Sequence, residues 1–229
     1  MLLNLLLRAL FPANCAECGR KTEKDMALCE KCLASIPTND FLFCGRCHAR
    51  LPAGKKICHF DTPFILAAAT NYRLNPPIQK IIRRFKFRHS DWIGETLGQL
   101  IRPYALKVLP QEDFLICPIP LGKRRRHERG FNQAEVLANI VSRDLKISLE
   151  KNALQRIKET KAQTLLSGLK NRELNLENAF WADSQKVKDR NILLIDDVTT
   201  TGATLSSASS ALKSAGAKKI YALVSAKAG

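Results

Sequence analysis

The run ILLIDDVTTTGATL, Ile192 to Leu205, constrains the fold more than any other part of this 229-residue chain. Its four leading aliphatic residues predict a short strand buried on both faces, as in a parallel sheet. Two acids, Asp196 and Asp197, follow, and then comes a loop of threonines around Gly202. A helical pattern begins near Thr204. The run therefore predicts a strand, an acidic pair, a hydroxyl-and-glycine loop and a helix start in one uninterrupted order.

This order of elements suits a ligand that carries both phosphate and sugar. Backbone N–H groups at a helix start bind anions, and a glycine lets the backbone approach them closely. Parallel sheets bind ligands at the carboxyl ends of their strands, where Asp196 and Asp197 are expected. Carboxylates there can accept hydrogen bonds from sugar hydroxyls or hold Mg²⁺. The run therefore predicts a site for a phosphorylated sugar.

The chain is strongly basic, with 37 basic and 21 acidic residues and a formal net charge of +16. The basic residues are spread along the chain, which suits polyanionic partners such as phosphorylated substrates or nucleic acid. Solubility alone is the plainer interpretation of the same charge. A hydrophobic content of 45% argues against a disordered chain.

Six of the eight cysteines form three C-x-x-C pairs before residue 48. In a reducing cytoplasm such pairs indicate metal rather than disulfides. Two pairs ten residues apart predict a closed tetrahedral zinc site that stabilises a small domain. We expect structural zinc bound by thiolates of these residues: Cys15, Cys18, Cys29 and Cys32.

The third pair, Cys44 and Cys47, predicts a second zinc site that is incomplete by cysteine count. Cys58 is the expected third ligand, and Asp61 gives the spacing Cys58-x-x-Asp61 for the fourth. His59 and His48 are alternatives for that position. The pairing is also open, since Cys15 and Cys18 could share a metal with the third pair instead. The eighth cysteine, Cys117, lies in an aliphatic run and is expected to be a buried apolar residue.

The first eleven residues, MLLNLLLRALF, keep leucines on one helical face. They are too short to span a membrane and lack the features of a secretory signal. We expect a short amphipathic helix that ends at Pro12 and packs on the body of the protein. Weak attachment to the inner membrane surface is the alternative. A cytoplasmic location follows from this interpretation.

From about Thr62, strand and helix patterns alternate, which predicts an α/β fold with a mostly parallel sheet. The stretch Phe64–Tyr72 predicts a strand, and Pro76–Phe87 predicts an amphipathic helix with proline at its start. That helix carries basic residues near two phenylalanines, which suits a nucleic-acid groove with aromatic stacking. A solvated helix face with both phenylalanines in the core is the alternative. The basic residues are Lys80, Arg83, Arg84, Lys86 and Arg88.

A strand over Asp113–Cys117 leads into the sequence PIPLGKRRRHERGFNQAE. We expect its cations to lie in a loop that ends at Gly130, with Asn132 capping the helix that follows. Like charges packed this tightly repel one another unless a polyanion or solvent receives them. The polar stretch Arg156–Phe180 suits a mobile loop that closes over a substrate. The expected cations are Lys123, Arg124, Arg125, Arg126 and Arg129.

Several motifs in this order resemble those of the ComF family of bacterial competence-associated proteins. The matching motifs are the cysteine pairs, the sequences PIP and RGFNQ, and the DDVTTTGAT run. The DDVTTTGAT run is similar to the phosphoribosyl-pyrophosphate (PRPP) motif of type I phosphoribosyltransferases, although Thr199 stands where the PRPP motif usually has an aliphatic residue. Among the cysteine pairs, Asp61 occupies the last position of what is often a fourth C-x-x-C. The remaining matches are the spaced set Arg156, Thr160, Gln163, Leu166, Arg172 and Asn175.

The resemblance implies a type I phosphoribosyltransferase fold, an α/β sheet flanked by helices, joined to an N-terminal zinc-finger domain. We place the two domains at residues 1–61 and 62–229. It also implies PRPP binding with Mg²⁺, with the two aspartates at the ribose hydroxyls and Thr200–Thr204 at the 5′-phosphate. Asp196, Asp197 and Arg129 are the expected catalytic residues. The expected PRPP contacts are Pro120, Lys123, Arg124, Gln163, Asp196, Asp197, Thr199, Thr200, Thr201, Gly202, Ala203 and Thr204.

Two functions remain open at this point. The first is a phosphoribosyltransferase of unknown acceptor, associated with DNA uptake or with the use of incoming single-stranded DNA. The second is a non-catalytic module that binds single-stranded DNA or a regulatory ligand on the same fold. In both, the resemblance implies a helicase-type competence partner. No residue stands out as the base for an acceptor.

Overall fold

The computed structural model describes residues 14–23, 26–51, 59, 61–87, 89–158 and 179–228. Within these ranges the helices, in chain order, are α1 (Glu30–Ala34), α2 (Pro76–Arg84), α3 (Ile93–Val108), α4 (Lys123–Arg129), α5 (Gln133–Leu145), α6 (Ser184–Val187) and α7 (Ala203–Ser214). The strands are β1 (Leu42–Cys44), β2 (Arg50–Leu51), β3 (Ile65–Asn71), β4 (Phe114–Pro118), β5 (Ser148–Leu149), β6 (Leu154–Arg156), β7 (Phe180–Ala182), β8 (Asn191–Thr199) and β9 (Lys219–Lys227).

A seven-stranded sheet in the order β2-β1-β3-β9-β8-β4-β5 forms the centre of the structure. The five strands from β3 to β5 in that order are parallel, while β1 and β2 are added antiparallel at one edge. A separate antiparallel hairpin joins β6 to β7. The predicted α/β fold with a mostly parallel sheet is confirmed.

The aliphatic residues of β8 are buried on both faces of the sheet, as the sequence predicts. Leu193 and Ile195 belong to a core shared with α2, α3 and α5. Ile192 and Leu194 belong to a second core, which α7 and the β6–β7 hairpin cover. All four are completely buried. Helices on both sides of a central strand explain why its sequence is continuously apolar rather than alternating.

Two local predictions need correction. The strand β8 does not end before the acids but runs on to Thr199, because its ladder with β9 continues through the pairs Asp196–Val224 and Val198–Ala226. The cations from Lys123 lie in helix α4 rather than in a loop. Arginine, lysine and glutamate are good helix formers, and Gly130 ends the helix in the left-handed conformation with φ of 80°.

The sheet runs across the predicted boundary between residues 61 and 62. Strand β1, upstream of that boundary, pairs with β3, downstream of it, through Phe43–Leu66 and Cys44–Ile65. The segment around the third cysteine pair therefore adds an edge to the main sheet. The division into two domains stays a prediction.

Some sequence expectations concern residues outside the described part of the chain. These are the N-terminal helix, Cys58, Arg88, Gln163 and residues 159–178 of the stretch Arg156–Phe180, in which a closing loop followed by a helix is predicted. The two ends of that stretch, Arg156 and Phe180, instead pair with each other in the β6–β7 hairpin. Across the described residues, no helix is both long and apolar enough to cross a membrane.

Candidate functional site

The acidic pair lies near the carboxyl end of β8, the central strand of the parallel set. Asp197 is 8% exposed, and its backbone N–H donates to Asp196 Oδ1 over 2.9 Å. Burial, reinforced by the neighbouring Asp197, raises the pKa of Asp196 well above its ordinary range. Two adjacent carboxylates that are shielded from water repel each other strongly. Without nearby cations, their repulsion would raise the free energy of the folded state.

Two cations approach the pair from different elements. Lys86, just after α2, places Nζ 3.5 Å from Asp197 Oδ2. That oxygen is buried and accepts no hydrogen bond from the described residues, so the lysine contact is an ion pair only. At the end of α4, burial lowers the pKa of Arg129, while the charges of Asp197 and Asp196 act to raise it. The acids therefore interact electrostatically with two cations that are distant from each other in sequence.

The threonine loop leads directly from β8 into the start of α7. Gly202 has φ of 77°, a left-handed conformation that glycine adopts without strain. The hydroxyl of Thr201 accepts a long bond of 3.4 Å from the N–H of Ala203. The first turn of this 12-residue helix thus begins at the end of the strand that carries the acids. A phosphate at the helix start and a sugar at the acids would lie within one short stretch of chain.

The third cysteine pair packs against this loop. A methyl group added at Gly202 would lie 3.1 Å from His48 Nε2 and 3.5 Å from the carbonyl oxygen of Gly45. His48 follows Cys47 directly, and sequence reasoning considered it only as a metal ligand. A cavity of about 940 Å³ adjoins the same loop and is lined by Arg46, by Trp181 and by the serine-rich side of α7.

The segment after β4 is held beside the acids by one backbone and one side-chain hydrogen bond. Ile119 N–H donates to the carbonyl of Ile195 over 2.9 Å, and Asn132 Nδ2 donates to the carbonyl of Ile119 over 3.0 Å. The predicted cap is confirmed, since the Asn132 side chain also accepts from Ala134 N–H at the start of α5. These contacts bring Pro120 and the start of α4, with Lys123 and Arg124, to the strand end that carries the acids.

The four cysteines of the first two pairs form one cluster, which settles the open pairing. Their ligand atoms lie within 4.8 Å of one another. Tetrahedral zinc with four thiolates at about 2.3 Å sets the sulfurs about 3.8 Å apart, and the Sγ atoms of Cys18 and Cys29 are 3.7 Å apart. The residues present therefore fit structural zinc. The members are Cys15, Cys18, Cys29 and Cys32.

A second cluster contains Cys44, Cys47 and His59, again with ligand atoms within 4.8 Å of one another. The Nδ1 atom of His59 lies 3.5 Å from Cys44 Sγ. Asp61, the fourth ligand expected from sequence, instead forms an ion pair with Arg46 and is largely exposed. Cys117 is completely buried in the sheet, and burial raises the pKa of its thiol to about 12.

The basic residues of α2 do not share one surface partner. Lys80 pairs with Glu17 at 2.7 Å, and Arg84 lies over the ring of Trp92 at 5.4 Å. Phe85 is completely buried, whereas Phe87 is 69% exposed. The interpretation that places both phenylalanines in the core is therefore right for Phe85 and wrong for Phe87. The nucleic-acid groove stays a prediction, and the ion pair of Lys86 with Asp197 separates that lysine from the others.

Family models match both parts of the chain. The double zinc ribbon domain matches residues 6–60, and the phosphoribosyl transferase domain matches residues 132–229. Together with the strand order and the cysteine clusters, these matches show a type I phosphoribosyltransferase-like α/β fold with an N-terminal double zinc ribbon. The zinc in this protein is structural, because a closed set of thiolates leaves no position for a substrate.

Three relatives and one solved structure complete the comparison. Competence protein F of Haemophilus influenzae is 33% identical over 92% of this chain and 95% of that protein. The DNA utilization protein YhgH of Escherichia coli K12 is 32% identical over 83% and 80%. Competence protein ComFC of Bacillus subtilis is 36% identical over 58% and 52%. Glutamine PRPP amidotransferase of B. subtilis, complexed with ADP and GMP, is 14% identical, with a TM-score of 0.40 over 58% of this chain and 26% of that one.

Proposed function

Because this chain belongs to the ComF family of competence and DNA utilisation proteins, we propose that its phosphoribosyltransferase domain binds PRPP with Mg²⁺. Asp196 and Asp197 accept hydrogen bonds from the ribose hydroxyls. The start of α7 and the hydroxyls of the threonine loop hold the 5′-phosphate. The observation that carries the proposal is the position of an acidic pair and a helix start at the two ends of one short loop.

The diphosphate of PRPP would lie on the other side of the acids, towards α4. The start of that helix is held beside β8 by the Ile119–Ile195 backbone bond. Arg129, at the far end of the helix, is half-buried, and the charges of both aspartates act on it. When bound, Mg²⁺ supplies further positive charge to the phosphate oxygens. Lys123, Arg124 and Arg129 would stabilise the charge that develops on a leaving diphosphate.

Calorimetry with PRPP·Mg²⁺ tests the binding. We expect heat of binding for the wild-type protein and at least a tenfold loss of affinity for Asp197→Asn, since a charge-assisted hydrogen bond contributes about 1.5–3 kcal/mol. Asp113→Asn is the matched control, because Asp113 is highly exposed and precedes β4 at the opposite end of the sheet. Equal affinity for wild type and Asp197→Asn would refute the site.

Transfer of the phosphoribosyl group is the reaction that such a site supports. An acceptor would attack C1 of PRPP, and diphosphate would leave with the bonding electron pair. Release of diphosphate can be measured across nucleobases and other acceptors, with and without single-stranded DNA. Release that depends on one acceptor and is lost in Arg129→Met would support an enzyme. Binding without release under all these conditions would support the non-catalytic alternative.

A second function, binding of single-stranded DNA, is favoured by the end of α2. Phe87 is 69% exposed and follows the basic residues Arg83 and Arg84 in the sequence. Exposed aromatic rings beside cations are typical of surfaces on which bases stack. A helicase-type partner, a cytoplasmic location and peripheral contact with the inner membrane belong to this same proposal.

Fluorescence anisotropy with a labelled oligonucleotide tests this second function. We expect affinity to fall steeply between low and high salt, because phosphate contacts release counterions. Phe87→Ala should weaken binding at any salt concentration, whereas Phe131→Ala, a ring half-buried against Phe85, serves as the aromatic control. Affinity that is the same at low and high salt would contradict the proposal.

A further inference from the structure

The side chain of Lys86 is directed to the acidic pair rather than to the surface shared by its basic neighbours. Its Nζ atom is 3.5 Å from Asp197 Oδ2, and the lysine side chain is 36% exposed against 11% for the aspartate. The neighbouring cations have other contacts: Lys80 pairs with Glu17, and Arg84 stacks on Trp92. Among the described basic residues of α2 and the turn after it, Lys86 alone forms an ion pair with the site.

The backbone that presents Lys86 is held rigidly. Phe85, the preceding residue, is completely buried, and its ring centroid lies 5.6 Å from that of Phe131. The carbonyl of Phe85 accepts a hydrogen bond of 3.0 Å from Gln133 Nε2. The same amide accepts a bond of 2.9 Å from Arg129 through Oε1. One buried glutamine therefore links the backbone beside Lys86 to the other cation of the site.

The charges around Lys86 indicate that its ammonium group has a role in binding an anion. The two carboxylates are adjacent and largely shielded from water, and Lys86 and Arg129 are the cations that approach them. A lysine ammonium sits on a long flexible stem with three donor hydrogens, so it can exchange one anionic partner for another nearby. The carboxylates suit sugar hydroxyls, and the helix start suits the 5′-phosphate. The diphosphate is the remaining anionic part of PRPP.

We propose that Lys86 is a diphosphate-binding residue of the PRPP site, presented from the end of α2 opposite the cationic helix α4. This assignment rests on the proposed PRPP site and goes beyond it, since it adds a residue outside both the threonine loop and the segment after β4. It also removes Lys86 from the set that contacts nucleic acid. The ammonium contacts Asp197 and the diphosphate oxygens in turn, without any covalent step.

Three ligands separate a diphosphate contact from a general effect of charge. Calorimetry in the presence of Mg²⁺ would use PRPP, inorganic diphosphate and ribose 5-phosphate as probes. For Lys86→Met we expect affinities for PRPP and for diphosphate to fall about tenfold, which is the loss of one charge-assisted hydrogen bond. Affinity for ribose 5-phosphate should stay within about twofold, because it carries no diphosphate.

Lys80→Met is the matched control, since it removes the same charge from helix α2, which precedes Lys86, at a residue that pairs with Glu17. It should leave all three affinities within about twofold of wild type. Lys86→Gln provides a second variant of similar length, and thermal unfolding checks that each variant is folded. Affinity for single-stranded DNA should be the same in Lys86→Met and in the wild-type protein, because Lys86 is directed to the acidic pair.

The outcomes separate this assignment from the proposed function. If the wild-type protein binds PRPP and Asp197→Asn does not, but Lys86→Met and Lys86→Gln bind it normally, the role of Lys86 is refuted and the site stands. An equal loss for ribose 5-phosphate and diphosphate also refutes a diphosphate contact. A wild-type protein that binds none of the probes refutes both the site and this assignment.

Discussion

At the scale of single residues, the charge of the acidic pair in the candidate site lowers the stability of the fold. Asp196 and Asp197 are neighbours in a strand whose other residues, apart from the two at its ends, are apolar. Burial and the charge of Asp197 raise the pKa of Asp196 well above its ordinary value of 3.8. A carboxyl whose pKa rises on folding is ionised more easily in the unfolded chain, so its charge destabilises the native state.

We therefore predict that Asp196→Asn stabilises the protein and abolishes PRPP binding. The gain in the free energy of unfolding should be complete at pH values above the raised pKa. It should shrink as the pH falls and vanish below about pH 3.8, where the carboxyl is protonated in both states. Near neutral pH the midpoint of thermal unfolding should rise by roughly 2–4 °C, as about 1 kcal/mol produces in a domain of this size.

Unfolding of wild type and variant at several pH values checks this prediction. The asparagine can still accept the hydrogen bond that Asp197 N–H gives to Oδ1, so the local backbone contact is kept. Asp144→Asn removes a partly buried charge that is paired with Arg143 and should give no comparable gain. An Asp196→Asn variant less stable than wild type at neutral pH would show that the buried charge is well compensated.

At the scale of elements, the threonine loop depends on a contact that its own sequence does not contain. Gly202 has φ of 77°, and a methyl group there would lie 3.1 Å from His48 Nε2. This close approach joins the loop to the turn after the third cysteine pair. The conformation of the loop, and with it the proposed phosphate site at the start of α7, therefore depends on the zinc ribbon as well as on the motif.

We predict that Gly202→Ala lowers both stability and PRPP affinity, by about tenfold for the affinity. A left-handed alanine costs about 1–2 kcal/mol, and the contact with His48 adds to that cost. The double variant with His48→Ala relieves the contact but not the strain, so it should recover part of the loss. Calorimetry and thermal unfolding measure the two effects.

Gly19→Ala is the control for strain alone, because Gly19 has φ of 73° and open space where its methyl group would lie. It should destabilise the protein without changing PRPP affinity. If Gly202→Ala and Gly19→Ala were indistinguishable in both measurements, the contact between the loop and His48 would have no influence on the site.

At the scale of the whole molecule, the zinc ribbon is part of the main core rather than an appendage. Strand β1 pairs with β3 in the central sheet, and Ala27 N–H donates to Thr96 Oγ1 in α3 over 2.7 Å. The hydroxyl of Tyr104, also in α3, donates to the carbonyl of Phe41 over 2.8 Å. Loss of the ribbon would expose the edge of β3 and one end of α3.

We predict that removal of zinc by a chelator destabilises the whole molecule in one cooperative transition. In small metal domains the free energy of zinc binding contributes directly to the free energy of folding. Because the ribbon shares the central sheet, loss of zinc should also destabilise the phosphoribosyltransferase-like part of the molecule. The midpoint of thermal unfolding should fall by more than about 5 °C. Calorimetry that shows two transitions, with the upper one unchanged by chelation, would contradict a shared core.

Features formed by residues that are close together in the chain can be predicted from the sequence alone. The aliphatic strand, the acidic pair, the loop and the helix start are consecutive between Ile192 and Leu205, so their order in space follows from the chain. The spacing of each cysteine pair likewise predicts a metal knuckle without reference to the remainder. The helix α4 was missed because the density of cations masked the helix-forming tendency of the same residues.

The contacts between residues far apart in the chain follow from the packing of the elements and not from any local pattern. The first two cysteine pairs share one cluster. Lys86 forms an ion pair with Asp197, and the ring of His48 packs closely against Gly202. Each of these contacts depends on how helices and strands far apart in the chain pack across the sheet. A local pattern of residues carries no information about that packing, because the same basic helix face could meet solvent, nucleic acid or a carboxylate.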